Sequence, residues 1–181
     1  MIAVRRLVPS DAPAYRARML AAYAETPDAF TATVEERAAL PAAWWAQRLA
    51  GGPDPAVLVV GAFDDPSGER LVGVAGLRRE TRPRTAHKSV LFGMAVRPEA
   101  RGRGIGRALV EAVVAHARAR PGTEVVTLTV TEGNAPAERL YAACGFRAFG
   151  TEPLAIRTDD GFAGKVHMWL AVGGDGSGAA P

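Results

Sequence analysis

The chain has a single cysteine, Cys144, among 181 residues, so no internal disulfide can form and a cytoplasmic setting is expected. No run approaches the ~18 consecutive apolar residues of a membrane span. The first residues, Met1-Ile2-Ala3-Val4-Arg5-Arg6, lack the basic-then-apolar layout of a secretory signal. Charge is nearly balanced: 22 Lys and Arg against 19 Asp and Glu leave a net +3 and a pI near 9.5. That mild excess suits an anionic ligand and does not by itself argue for nucleic acid. Internal repeats are absent, and no metal is expected.

What is present reads as one soluble domain over residues 1–172, with 48% hydrophobic and 23% charged residues. At this length folding buries roughly 70% of the surface of the unfolded chain, enough for a core without cross-links. Residues 173–181 are Gly-rich and are expected to form a disordered tail.

Hydrophobic patterning alternates between strand and helix. Residues 2–8 read as a strand, and Ser10 is placed to cap a helix over 11–24. Thr33-Val34-Glu35-Glu36 is a capping box, opening a helix that runs to Leu49. Strands at 56–63 and 71–77 flank the turn-forming stretch Asp64 to Glu69 and imply a hairpin. A strand at 89–96, a helix at 105–119, a strand at 124–130 and a helix at 135–143 follow. Gly145 stops that last helix, and strands at 146–151 and 166–172 complete the chain. The order β-α-α-β-β-β-α-β-α-β-β implies an α+β fold with a mixed, partly antiparallel sheet. The strand-helix-strand unit from 89 to 130 should be a right-handed crossover between parallel strands.

The most informative segment follows the strand ending Met94-Ala95-Val96. Arg101-Gly102-Arg103-Gly104-Ile105-Gly106-Arg107 turns the chain and opens a helix. A helix start carries unpaired N–H groups and about half a positive charge, and glycines let a phosphate approach them. Three arginines at that end are locally unfavourable until an anion joins them. A dinucleotide fingerprint fails here because its sixth position is Arg107, and no Walker loop exists. The pattern that does fit is R-x-x-G-x-G, on Arg101, Gly104 and Gly106. Some thirty residues on comes Asn134, with Ala137, Leu140, Tyr141, Gly145 and Phe146 in the spacing N-x-x-A-x-x-L-Y-x-x-x-G-F. Asn134 and Tyr141, about two turns apart, project from nearly the same side of one helix.

With these two motifs in this order, the chain resembles the GNAT acetyltransferases. The resemblance covers residues 1 to about 172 and is strongest from Ser89 to Phe146. It implies that the two parallel strands splay and that the pantetheine arm of acetyl-CoA pairs with backbone near Met94, Ala95 and Val96, as an added strand does. It implies that Gly102 through Arg107, Ile105 included, hold the pyrophosphate together with Arg101. It assigns Asn134 to a polar contact with the cofactor, which leaves an N-cap role open. Tyr141 takes the place of the general acid that protonates the departing thiolate. Cys144 is read as a packed thiol, since no histidine lies near it in sequence.

The implied reaction is acetyl transfer to a primary amine of a small molecule, peptide or protein, by direct attack. A lysine amine with pKa ~10.4 must give up a proton at about 4.6 kcal/mol at pH 7, against about 1 for an α-amine. The position where some family members carry a glutamate base falls near Val90, which cannot serve. Glu152, His167 and His87 are the remaining candidates, and an acceptor amine of lowered pKa is expected. The acceptor site should involve 23–36, Trp44, Trp45 and 152–165, with Asp28, Glu35, Glu36, Asp159 and Asp160 available to attract a cation. A homodimer is compatible with the family. The rivals are a non-catalytic acyl-CoA-binding regulator and a nucleic-acid module. The latter is disfavoured because the basic stretch 78–88 lacks interleaved aromatics.

Overall fold

A computed structural model describes residues 2–52, 55–65 and 67–173. Seven strands form one sheet in the order β1-β2-β3-β4-β5-β7-β6. They are β1 (Ala3–Arg6), β2 (Val57–Phe63), β3 (Leu71–Arg79), β4 (Lys88–Val96), β5 (Val125–Thr131), β6 (Arg147–Thr158) and β7 (Gly161–Ala171). The helices are α1 (Ala12–Glu25), α2 (Val34–Ala38), α3 (Ala42–Leu49), α4 (Ile105–Ala119) and α5 (Ala135–Ala143). All strand pairs are antiparallel except β4 with β5. The expected α+β class and mixed sheet are therefore present.

The central strands are apolar on both faces because helices cover both. On β2, Val60 and Ala62 belong to the core under α4, while Val59 and Phe63 belong to the core under α1 and α3. This is period-two alternation with two buried faces instead of one. Helix α4 supplies Ile105, Leu109, Val110, Val113, Val114 and Ala117, a stripe at helical spacing and all buried.

Several boundaries differ from the sequence reading. The single helix expected over 33–49 is two, α2 and α3. Pro41 is the reason: it lacks an N–H, disfavours helical backbone at Leu40, and stands extended as the N-cap of α3. The capping box itself is formed, with Glu36 N–H donating to Thr33 Oγ1 at 3.2 Å and Thr33 N–H to Glu36 Oε2 at 2.8 Å. Ser10 does not cap α1. Asp11 occupies the N-cap, and its carboxylate accepts from Val8 N–H at 2.8 Å and from the Arg5 guanidinium. The last hairpin is longer than expected, because Pro153 sits in an edge strand, where a missing donor is tolerated. A register irregularity between Glu152 and Ile156, with Leu154 at φ 54, accommodates it. Of the expected tail, residues 174–181 lie outside the described residues, as does Pro66 in the β2–β3 turn.

Leu109 is fully buried between α4 and the sheet. Leu109→Ala is expected to lower unfolding free energy by about 2–5 kcal/mol, read as a shifted midpoint in urea with an unchanged slope.

Candidate active site

The site begins with a failure of strand pairing. Strands β4 and β5 pair only at Lys88–Val125, Ser89–Val126 and Val90–Thr127, then part. From residue 91 to 96, the side of β4 that faces β5 has no strand partner. On its other side β4 remains paired with β3, through a bulge that places one extra residue at Gly93-Met94. Gly93 takes φ 59, a left-handed conformation that most residues disfavour, and the added twist turns β4 away from β5. The N-terminal ends of α4 and α5 stand at the mouth of this fork.

The loop into α4 is shaped by two glycines in the left-handed region, Gly102 at φ 75 and Gly104 at φ 76. Gly104 is the N-cap of α4 and offers no side chain to its free N–H groups. A Cβ built at Gly102 or Gly104 meets nothing within 4 Å, so the space above the loop is open. Gly106 has a different role: a Cβ there would lie 3.0 Å from Leu140, so it sets the approach of α4 to α5.

Helix α5 is capped by Asn134, whose Oδ1 accepts from Ala137 N–H at 3.3 Å. Its C-terminus closes with Gly145 at φ 92, Gly145 N–H donating to Ala142 and Phe146 N–H to Tyr141, a Schellman closure. That closure brings Phe146 edge-on to the Tyr141 ring at 5.9 Å and fixes the phenol. Tyr141 is 6% exposed, and no protein group hydrogen-bonds its hydroxyl among the described residues. Burial pushes its pKa well above that of an ordinary phenol, so the hydroxyl keeps its proton across the physiological range. Burial also raises the Cys144 thiol, which therefore lacks thiolate character.

A cavity of about 910 Å³ runs through the fork. Its walls bring together Met94, Ala95, Val96, Arg101, Gly102, Gly104, Ile105, Gly106, Arg107, Asn134 and Tyr141, which are eleven of the twelve residues singled out by sequence. Arg103 is the exception. Its guanidinium pairs with the almost fully buried Asp64 at 2.8 Å, so it ties the loop to the β2–β3 turn. Arg101 Nε donates to Val96 O at 3.2 Å, and Arg107 pairs with Glu111 one turn along α4.

The other end of the cavity is walled by α1, α2 and α3, with Tyr15, Tyr23, Phe30, Trp44, Trp45 and Phe92. Glu152, His167 and His87 do not line it. His167 and Glu152 instead pair with each other at 3.2 Å, and His167 faces a separate pocket beside Phe149. Nor do Asp28, Glu35, Glu36, Asp159 or Asp160 reach it. Among the described residues the single carboxylate in its walls is Glu25, already paired at 2.7 Å with the buried Arg18. Glu25 falls inside the 23–36 stretch expected to build the acceptor site but is not among the acids named there; its partner Arg18 lies about two turns earlier on the same helix.

Residues 19–146 match the acetyltransferase (GNAT) family. This chain belongs to the GNAT family. Among relatives, the mycothiol acetyltransferase of Salinispora tropica is 37% identical over 82 residues, 45% of this chain and 26% of that protein. The GNAT chain described here thus spans about a quarter of the length of that relative. A GCN5-related N-acetyltransferase structure from Kribbella flavida is 26% identical, with a TM-score of 0.76, covering 94% of this chain and 97% of that one. A Salmonella typhimurium structure with its cofactor acetyl-CoA has a TM-score of 0.76 at 21% identity over 100% and 98% of the two chains, which speaks to the fold alone. No helix of the described residues is long and apolar enough to cross a membrane, and no cluster of three or more His, Cys, Asp or Glu is placed to hold a metal among them.

The open space at Gly104 makes a sharp test. Gly104→Val is expected to cost about 1–2 kcal/mol of stability from the left-handed backbone. Coenzyme A affinity should fall by more than about tenfold, an extra 1.4 kcal/mol, because the branched side chain fills the approach to the α4 amides. Titration calorimetry beside urea unfolding separates the two effects.

Proposed function

We propose that this protein transfers an acetyl group from acetyl-CoA to a primary amine by direct attack in a ternary complex, as a single domain acting in the cytoplasm. The observation that carries the reading is the convergence on one cavity of the Arg101–Arg107 loop, the unpaired edge of β4 and the Tyr141 phenol. The residues fit the cofactor: open glycine turns, two lining arginines and free helix-start amides suit a pyrophosphate, and an unpaired strand edge suits the amides of pantetheine. Acetyl-CoA supplies the activated acyl group as a thioester.

Backbone groups of residues 94–96 orient the arm along β4. Arg101, Arg107 and the amides at Gly102, Gly104 and Gly106 hold the diphosphate, and Asn134 combines its capping bond with a polar wall. The amine nitrogen forms the new bond to the acyl carbon as the carbon–sulfur bond breaks. Tyr141 presents its hydroxyl proton to the departing sulfur and is reprotonated from solvent, while the nitrogen releases one proton. In net terms one proton passes from nitrogen to sulfur. Because Glu25, the only wall carboxylate among the described residues, is already paired, no strong base waits for the amine, and its neutral fraction, set by loss of a proton to solvent, is what attacks.

Thiol release from acetyl-CoA across a panel of amines tests the activity. Tyr141→Phe keeps the ring against Phe146 and removes the proton. It is expected to lower kcat by about 10²-fold with coenzyme A affinity unchanged. An unaltered kcat would remove Tyr141 from the reaction. Coenzyme A binding without thiol release for any amine would leave the non-catalytic regulator in its place.

A further inference from the structure

The acceptor end of the cavity has an unusual charge balance. Arg37, Arg48, Arg78 and Lys165 line it, against Glu25 alone, whose charge is met by Arg18. Arg37 and Arg48 both stack on the Trp44 ring, at 5.4 and 5.0 Å, and Arg48 also covers Phe92 at 4.6 Å. Stacking occupies the faces of a guanidinium and leaves its in-plane N–H donors to groups in the pocket, of which the Tyr15 hydroxyl is one for Arg48. No carboxylate pairs with Arg37 or Arg48 among the described residues.

Two donors in these walls are sealed from water and have no partner. One is Arg37 Nε, the other the indole Nε1 of Trp45, a residue only 2% exposed. A buried donor without an acceptor costs roughly 1–3 kcal/mol. Neither donor is within reach of a ligand oxygen, so the demand for an acceptor-rich, negatively charged group comes from the two like-charged guanidiniums stacked on one ring in the cavity wall. Lys165, held to Thr31 at 2.8 Å, adds a further cation, and the surrounding aromatics offer an apolar bed.

We infer that the acceptor is a small primary amine that also bears a carboxylate on an apolar body, with the carboxylate seated at Arg37 and Arg48. This deepens the acetyl-transfer reading above and rests on it. The coenzyme's own phosphates are provided for elsewhere, at Arg101 and Arg107 on the α4 side of the same cavity. A polyamine or a lysine-rich peptide would meet like charge at this end.

The test compares leucine, phenylalanine and glutamate with their carboxamides, and with spermidine, as acceptors. The amides have the less basic amines, so intrinsic reactivity favours them. Any preference for the acids must then come from the pocket. The acids are expected to show at least about tenfold higher kcat/KM, and Arg48→Met and Arg37→Met should each erase most of that ratio, mainly through KM. Calorimetry on the wild-type protein with coenzyme A present provides a second readout: N-acetyl-leucine should bind at least about tenfold tighter than N-acetyl-leucinamide. Equal or better use of amides or spermidine would overturn the inference and leave acetyl transfer standing. If no amine is acetylated, the transfer reading fails instead, and equal binding of the two acetylated probes would overturn the carboxylate pocket as well.

Discussion

A parallel strand pair that stops pairing after three residues governs this molecule. Inside a seven-stranded sheet, backbone N–H and C=O groups are ordinarily satisfied by a neighbour, and leaving them bare in a buried setting costs roughly 1–3 kcal/mol each. Here the fork between β4 and β5 exposes such an edge in the middle of the sheet, on the floor of a cavity. The bulge at Gly93-Met94 makes the fork possible without loss of the β3–β4 ladder. The antiparallel run β5-β7-β6 then continues the sheet on the far side. The strain of the arrangement is offset by two apolar cores that clamp the sheet from both faces.

The fork also explains why the two motifs belong together. Each helix that starts at the mouth is the next α-helix after one of the parting strands, so the strands' separation helps to hold α4 and α5 on the two walls of the cavity. Gly106 against Leu140 sets how closely they approach. The Schellman closure of α5 then fixes Tyr141 from behind, through the backbone bond from Phe146 and the edge-on ring contact. Positioning of the phenol is thus a matter of helix termination as much as of the motif position itself.

The opposite end of the cavity follows a different logic. Its chemistry comes from α2 and α3, whose separation at Pro41 sets Arg37 on one short helix and Arg48 on another, both against Trp44. A continuous helix over the same residues would place Arg37 and Arg48 eleven positions apart along one axis, about three turns, so the break matters to the pocket. Pro41 carries the signal for the break in the sequence itself, but the capping box before it and the apolar run after it favour one continuous helix. The extra length of the last hairpin was hidden for the opposite reason: Pro153 reads as a breaker, yet the edge of a sheet needs no donor there.

Local sequence determined the elements whose signals are local: the glycine turn into α4, the Asn134 cap, the Gly145 stop, and the strand-helix-strand unit between them. It also singled out the motif residues that meet in one cavity, since both motifs are contiguous and their spacing is set by one helix and one strand. Tertiary structure alone decided that Arg103 turns to Asp64, that Glu25 is spent on Arg18, that Glu152, His167 and His87 stand apart from the cavity, and that cations crowd its far end. The physical reason is range: caps and turns are closed within a few residues, whereas the sign of a pocket is summed over side chains from α1, α2, α3, β3 and β7, which meet only when the chain has folded.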